Sequence, residues 1–390
     1  MKVGAATRID WTFTVGHPNR WLPKEYDSTK QHYELYVPPD YDPKKSYPVV
    51  FFMSPGSGPA GWHAWESVCK QHGVIFASAY NTPNSMLPGQ MRFRIVLDVF
   101  DELRRNYNTD PDRTYICGFS GGGRIAARIA FALPEYFGGT VAVGSSGEFR
   151  NEDWLRHRLI DKLSVGMVTG DKDFNHGECV LYRNPWLQEI GVRSRVWDIP
   201  NLPHAIPGGD TMAEVFGWLE ADLPRRRELA KKYPAIRMPG NAAPSADEWS
   251  RVMLAEAKQR LQEKATVYSG LALLQGVAFR WNGLPVAAEA AKLVVEWETK
   301  PEKPWDEDRH NDRRRYTRGR ALGLTLWVTG YSPDDRAPNT LGTEPLNPRT
   351  MATEALQLWE QIIKEGKDAK GVEEANKRIP ELRKILAAKE

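Results

Sequence analysis

Residues 110–123 read Asp-Pro-Asp-Arg-Thr-Tyr-Ile-Cys-Gly-Phe-Ser-Gly-Gly-Gly and carry the strongest structural signal in the chain. An apolar run that begins at Thr114 leads into Ser120, and a helical pattern follows over Arg124–Leu133. The G-x-S-x-G spacing places glycines two residues on either side of the serine, where larger side chains would clash with a neighbouring strand and helix. We interpret Ser120 as a nucleophile on a tight strand-to-helix turn. The alternative is a purely structural turn.

Seven short runs rich in β-branched and aromatic residues alternate with amphipathic segments between residue 30 and about residue 222. One of them is apolar throughout Val49–Met53, which is typical of a strand buried on both faces of a parallel sheet. The seven predicted strands are His32–Pro39, Tyr47–Ser54, Gly73–Tyr80, Thr114–Ser120, Thr140–Ser146, Leu163–Gly170 and Arg193–Pro200. This alternation predicts an α/β fold, a three-layer sandwich with a mostly parallel sheet.

A serine needs a base, itself oriented by an acid, before it can attack a carbonyl at neutral pH. In a sandwich of this kind the acid follows a later strand and the base follows the last one. His204 comes directly after the final predicted strand, so we interpret it as the base. The acid should follow the strand that ends at Gly170, where Asp171 and Asp173 are both candidates and the G-x-x-D spacing favours Asp173. The predicted catalytic residues are therefore Ser120, His204 and Asp173.

Backbone N–H groups near the serine are candidates for holding the oxyanion that forms during acyl transfer. Gly121 follows the serine at the start of a helix, whose N-terminal dipole favours negative charge. We predict a second donor at Ser57, in the loop Ser-Pro-Gly-Ser-Gly at 54–58, where Pro55 replaces the histidine usual in such loops. Trp62 opens the next helix. Packing against the sheet is its simpler interpretation, and binding of substrate as a pocket wall is the alternative.

Residues from about 30 to 222 resemble the α/β-hydrolase superfamily, specifically its polyhydroxybutyrate depolymerase-like and feruloyl-esterase-like serine esterases. The resemblance rests on Asp-Pro-Asp-Arg-Thr-Tyr before Gly-Phe-Ser-Gly-Gly-Gly, on Pro-Gly-Ser-Gly at 55–58, on Gly-Asp-Lys-Asp at 170–173, and on the late His204. It implies a carboxylic-ester hydrolase that works through an acyl-enzyme, needs no cofactor and acts on polymer-linked, phenolic or other bulky esters. A serine peptidase of the same fold and a catalytically silent binding or scaffold protein are the alternatives.

The second half of the chain has a different pattern. Three arginines at 225–227 and a stretch rich in Pro, Gly and Ala up to residue 245 are typical of a linker. Beyond it, apolar residues recur every three or four positions, which predicts amphipathic helices. The predicted helices include 285–298, Asp306–Val328, Thr350–Lys364 and Val372–Lys389. The predicted organisation is a catalytic domain over 1–224, a linker over 225–245 and an α-helical domain of unassigned role over 246–390.

Composition excludes several classes of protein. The 390 residues are 41% hydrophobic and 26% charged, ordinary values for a globular chain. A formal net charge of +3 is too small to indicate nucleic acid or an anionic membrane as a partner. Cysteines and histidines lack zinc-ligand spacing, and no phosphate-binding or dinucleotide motif occurs, so we expect neither a metal nor a cofactor. The expected partner is the ester substrate.

The three cysteines, Cys69, Cys117 and Cys179, allow at most one disulfide, and the sequence leaves a Cys69–Cys179 pairing open. The first residues lack the apolar segment of a signal peptide, and no apolar stretch of about 18 residues occurs. A cytoplasmic protein and a secreted or periplasmic one whose signal peptide has been removed both fit this pattern. The sequence does not indicate an oligomeric state.

Overall fold

The computed structural model describes residues 27–87, 89–241, 244–332, 336, 338 and 347–388. Its strands are β1 (Tyr33–Tyr36), β2 (Tyr47–Met53), β3 (Ile75–Ala79), β4 (Thr109–Phe119), β5 (Gly139–Val143), β6 (Ser164–Lys172) and β7 (Arg193–Pro203). They form one sheet in the order β1-β3-β2-β4-β5-β6-β7. The strand β1 runs antiparallel to β3, and every other neighbouring pair is parallel. The predicted α/β sandwich with a mostly parallel sheet is confirmed.

Helices cover both faces of this sheet, and further helices follow the last strand. In the first half they are α1 (Trp62–His72), α2 (Gln90–Asn106), α3 (Gly121–Ala132), α4 (Asp153–Lys162), α5 (Asn184–Glu189), α6 (Gly209–Glu220) and α7 (Leu223–Lys232). In the second half they are α8 (Ala246–Arg260), α9 (Val267–Arg280), α10 (Pro285–Glu298), α11 (Asp306–Gly330), α12 (Pro348–Glu365) and α13 (Ala369–Ala387). The described part of the second half is thus helical, as predicted.

Side chains of the central strands alternate between two buried faces. In β2, Val50 and Phe52 lie in a cluster with residues of α1 and α6. Val49, Phe51 and Met53 point the other way, into a larger cluster with residues of α2, α3 and α4. Because both faces are covered, every residue of β2 is buried, which explains why its sequence is continuously apolar rather than alternating.

The helices of the second half enlarge this second cluster instead of building a separate core. Buried residues of α8, α9, α11, α12 and α13 belong to the same apolar cluster as those of α2, α3 and α4. Two buried ion pairs join α4 to the second half: Arg156 Nη2 lies 2.6 Å from Asp312 Oδ2, and Arg158 Nη1 lies 2.8 Å from Glu256 Oε1. Arg156 also pairs with Asp153 in its own helix, whereas removing Glu256 would leave the buried Arg158 without this acidic partner, so the second half contributes to the stability of α4.

The first part of the stretch predicted as a linker, 225–245, is helical up to Lys232. The helix α7 begins at Leu223, so the predicted boundary at residue 224 falls inside it, with Pro224 in its first turn where a missing N–H costs nothing. Arg226 is fully buried and donates from Nη2 to the Tyr115 hydroxyl at 3.1 Å. Arg226, one of the three arginines on which the linker prediction rests, therefore anchors α7 against the sheet. The division of the chain into two domains stays a prediction.

All three cysteines are buried free thiols. Cys69 and Cys179 belong to clusters on opposite faces of the sheet, so the pairing left open by the sequence is absent. Burial raises the pKa of the Cys69 thiol to about 12, which keeps it protonated and unreactive. Among the described residues, no helix is both long and apolar enough to cross a bilayer.

Candidate active site

Ser120 lies on a sharp turn between β4 and α3, with backbone angles φ 53° and ψ −125°. A positive φ is uncommon outside glycine, and such strain is concentrated at functional sites. An ideal Cβ on Gly118 would lie 2.6 Å from the carbonyl carbon of Gly122, and one on Gly122 would lie 2.3 Å from the Met53 oxygen. The turn therefore has the close approaches that the glycine spacing predicts.

The side chains of Ser120, His204 and Asp173 form a continuous hydrogen-bonded chain. His204 Nε2 lies 2.9 Å from Ser120 Oγ, and His204 Nδ1 lies 2.9 Å from Asp173 Oδ1. The Asp173 side chain is 1% exposed and the His204 side chain 19%, so the acid is shielded while the histidine borders solvent. A neutral imidazole that donates from Nδ1 to the carboxylate can accept a proton from the serine at Nε2.

The strand order, a serine on the turn after β4, an aspartate after β6 and a histidine after β7 together match one architecture. The chain has the α/β-hydrolase fold. In this fold the serine stands at the carboxyl ends of the parallel strands, where the loops that bear the acid and the histidine also converge.

Of the two candidate acids, the structure brings Asp173 to His204 and holds Asp171 away from it. Asp171 is exposed, and its Oδ1 accepts the backbone N–H of Asn201 at 2.7 Å. Asp173 Oδ1 also accepts the backbone N–H of Asn175 at 2.8 Å, in a turn that fixes the carboxylate relative to its own loop. The carboxylate is thus oriented from two directions before any substrate binds.

Asn175 and Gly144 lie next to the Asp173–His204 pair and help to hold it in place. The Asn175 side chain is buried, and its Nδ2 donates to the Gly144 carbonyl oxygen at 2.8 Å. Gly144 follows β5 with a positive φ of 59°. An ideal Cβ there would lie 2.9 Å from Asp173 Oδ2 and 3.0 Å from His204 Nδ1, so a side chain at this position would collide with the pair.

Aromatic rings lie against the His204 imidazole. The Phe119 ring, one residue before the serine, is centred 4.7 Å from the imidazole at an interplanar angle of 35°. The Phe174 ring, one residue after the acid, is centred 4.2 Å from it at 33°. Both rings are tilted relative to the imidazole and pack against it. They therefore restrict its rotation, and such a rotation would break the bonds at Nδ1 and Nε2.

The predicted oxyanion donors lie on neighbouring segments. Gly121 is the first residue of α3, and an ideal Cβ on it would lie 2.0 Å from Asn84 Oδ1, so the Asn84 side chain packs on this glycine. Ser57 is exposed in the loop after β2, and its carbonyl accepts the Asn81 N–H at 2.8 Å. The Asn84 N–H donates to Pro55 in the same loop at 2.8 Å, so the loops after β2 and β3 are held together beside Gly121.

Trp62, the first residue of α1, packs on the sheet. Its ring is centred 4.9 Å from the Tyr36 ring and 5.3 Å from the Phe76 ring. These contacts are the ones expected if Trp62 packs against the sheet. A role of Trp62 in substrate binding stays a prediction.

Sequence reasoning missed Phe174, Asn175, Gly144 and Asn84. Asn175 had a local signal, because an aspartate two residues before it can accept its N–H in an Asx turn. The other three are placed by contacts between distant segments. Among the described residues, no group of three or more His, Cys, Asp or Glu side chains is arranged to hold a metal ion.

No family model and no curated protein matches this chain. Similar solved structures include a thermostable esterase, 21% identical over 48% of this chain and 58% of the esterase, with a TM-score of 0.39. The S-formylglutathione hydrolase of Staphylococcus aureus is 14% identical over 48% of this chain and 92% of its own, with a TM-score of 0.39. A ferulic acid esterase is 12% identical over 50% of this chain and 92% of its own, with a TM-score of 0.38. Each alignment spans about half of this chain.

Proposed function

We propose that the chain is a serine hydrolase of carboxylic esters that works through an acyl-enzyme. The observation that carries this proposal is the hydrogen-bonded chain from Ser120 Oγ through His204 to Asp173, with 2.9 Å at each step. The strained backbone of Ser120 supports it, because a serine with a purely structural role has no need of a positive φ.

In the first half of the reaction, His204 Nε2 takes the hydroxyl proton of Ser120 while Oγ bonds to the ester carbonyl carbon. The carbonyl π electrons move onto its oxygen, giving a tetrahedral oxyanion. Asp173 stays ionised and stabilises the imidazolium through Nδ1–H. The imidazolium then gives its proton to the leaving alcohol as the C–O ester bond breaks, leaving the acyl group on Ser120.

The oxyanion needs donors that are in place before the reaction starts. The Gly121 N–H, in the first turn of α3, cannot bond within its own helix and lies at the positive end of the helix dipole. We propose it as one donor and the Ser57 N–H as the other, each contributing about 3 kcal/mol to the fall in the barrier. Water activated by His204 then attacks the acyl-enzyme, and the same donors hold the second oxyanion.

We propose polymer-linked, phenolic or other bulky esters as the substrate class. Ser120, Gly121 and His204 are all partly exposed, which supports access by a large substrate. No metal or other cofactor is needed for the chemistry, because every proton transfer is assigned to His204.

Hydrolysis of p-nitrophenyl acetate by the wild type, Ser120→Ala and Ser67→Ala tests the nucleophile. Ser67 is an exposed serine on α1, so its loss should leave the rate unchanged. Ser120→Ala should lower kcat by about 10⁴-fold or more. Equal rates in the wild type and Ser120→Ala would disprove the proposal.

Substrate class is tested by comparing kcat/KM for p-nitrophenyl acetate, methyl ferulate and p-nitroacetanilide. We expect the phenolic ester to be hydrolysed and the anilide not to be. Cleavage of the anilide alone would favour a serine peptidase. A folded wild type that neither hydrolyses any of them nor reacts with diisopropyl fluorophosphate would favour the catalytically silent alternative.

A further inference from the structure

Arg336 reaches the catalytic centre from the helical half of the chain. It lies between α11 and α12, and its backbone N–H donates to the carbonyl oxygen of Phe174 at 2.9 Å. Its guanidinium carbon lies 3.9 Å from the centre of the Phe174 ring. Two separate contacts thus connect Arg336 with the residue that follows the acid Asp173.

The guanidinium and the imidazole lie on opposite faces of the Phe174 ring. Arg336 Cζ is 3.9 Å and the His204 ring 4.2 Å from the ring centre, and two groups at these distances cannot share one face. Phe119 contacts His204 at 4.7 Å, and no ring contact joins it to Phe174 in the part of the chain that the structure describes. The four side chains therefore form a stack in the order Phe119, His204, Phe174 and Arg336.

This stack restricts rotation of the His204 ring. His204 must keep Nδ1 on Asp173 and Nε2 on Ser120, and a turn of its ring breaks both bonds. Phe119 is fixed at the end of β4, whereas Phe174 is half-buried in the loop after β6. The Arg336 guanidinium lies over the outer face of the Phe174 ring, and the Arg336 backbone N–H donates to the Phe174 carbonyl. Together these contacts hold the ring against the imidazole.

We propose that Arg336 is a positioning residue for His204, acting through Phe174, so that the helical half of the chain completes the catalytic centre. This inference rests on the proposed function of Ser120, His204 and Asp173. It assigns a functional role to the second half of the chain, whose helices carry no catalytic motif of their own. Arg336 itself need not touch the substrate.

The test compares Arg336→Ala, Arg336→Lys and the control Arg349→Ala in the full chain. Alanine keeps the backbone hydrogen bond and removes the stacked cation. Arg349 is an exposed arginine near the start of α12 and outside the stack. With p-nitrophenyl acetate, Arg336→Ala should lower kcat about 3- to 10-fold with KM within about twofold, because a slightly misplaced base slows chemistry more than binding. Arg336→Lys should recover part of the loss, and Arg349→Ala should match the wild type.

A double-mutant cycle with Phe174→Leu separates positioning from a general structural effect. Phe174→Leu should slow the reaction, and adding Arg336→Ala to it should cause no further loss. The rate of Ser120 labelling by diisopropyl fluorophosphate provides a second readout that needs no ester substrate, and thermal unfolding confirms that each variant is folded. Equal kcat for Arg336→Ala and Arg349→Ala, or full additivity in the cycle, would overturn the inference while leaving the proposed function intact. Activity that survives Ser120→Ala would instead remove the proposed function itself.

Discussion

Gly144 lies directly against the His204 imidazole: a β-carbon on this glycine would come within 3.0 Å of both Nδ1 and Cε1. The same carbon would lie 2.9 Å from Asp173 Oδ2, so it would press on the histidine and the acid together. Because the φ of Gly144 is +59°, an L-residue there would also be strained. One small residue at the end of β5 therefore leaves the space in which the pair meets.

Gly144→Ala should consequently lower kcat by about tenfold or more, since even a small displacement of a catalytic base is costly. Gly73→Ala is a matched control, because Gly73 has a similar φ of +62° and no heavy atom close to its would-be Cβ. Both variants should lose roughly 1–2 kcal/mol of unfolding free energy from backbone strain. Steady-state kinetics and urea unfolding distinguish them. A control that loses as much activity as Gly144→Ala would assign the effect to strain alone.

Asp173→Asn should reduce kcat by about 10²- to 10⁴-fold, because the amide no longer stabilises the imidazolium and favours the wrong tautomer. Asp171→Asn should retain activity within about twofold, since the amide oxygen can still accept the Asn201 N–H. Rates on p-nitrophenyl acetate at saturating substrate measure both. The reverse ranking would make Asp171 the acid.

Gly122→Ala should damage both stability and activity. Its Cβ would lie 2.3 Å from the backbone oxygen of Met53, a contact that no side-chain rotation can relieve. Either α3 or the loop after β2 must shift, and with it the Gly121 N–H. We expect a loss of at least about 2 kcal/mol in unfolding free energy and about tenfold in kcat. Gly217→Ala in α6 is the control: nothing lies near its would-be Cβ, so stability should stay the same or rise.

Asp222→Asn should change how stability depends on pH. Burial raises the pKa of Asp222, but hydrogen bonds and charge from Arg225, together with Arg226, lower it overall. Because the pKa of Asp222 is lower in the folded than in the unfolded protein, its charge stabilises the fold fully at a pH above the pKa of the unfolded chain, near 4. This stabilisation is lost as the pH falls through the pKa of the folded protein. The variant should lose about 2–4 kcal/mol of unfolding free energy at pH 7.

The measurement for Asp222 is urea unfolding at pH 7, 5 and 3. The difference in unfolding free energy between the wild type and Asp222→Asn should become smaller toward pH 3, because the wild-type carboxylate becomes protonated. Asp210→Asn, at an exposed position in the first turn of α6, should lose no more than about 1 kcal/mol at any pH, the contribution of one exposed carboxylate to the helix dipole. A gap that is constant with pH would show that the lost interaction does not depend on ionisation.

Much of the fold of the first half could be predicted because the sequence signals for it are local. Seven strands follow from short β-branched runs, and Val49–Met53 marks burial on both faces by its composition alone. Ser120 is identified by five consecutive residues, and His204 by its place after the last strand. The sequence-predicted helix over 285–298 coincides with α10 for the same reason, since Pro285 and the periodicity after it are local signals.

The remaining features depend on contacts between segments that are distant in sequence. Asp171 lies at the end of β6 and Asp173 directly follows it, and the choice between them is made by an Asx turn and by the position of β7. The arginines at 225–227 are typical of a linker, yet Arg226 is buried and donates a hydrogen bond to a tyrosine 111 residues earlier. Arg336 acts on the loop after β6 from the far half of the chain. No periodicity within one segment encodes such pairings.

The shared apolar cluster has a consequence for the order in which the protein is made. The sheet is complete at Pro203, whereas the helices that extend the cluster on one of its faces end at Ala387. At ~5–20 residues per second, the last of these helices leaves the ribosome on the order of ten seconds or more after the sheet. Until then the apolar side chains of the first half that pack on these later helices stay exposed on the nascent chain. Its yield in a cell should therefore depend on how well chaperones shield them.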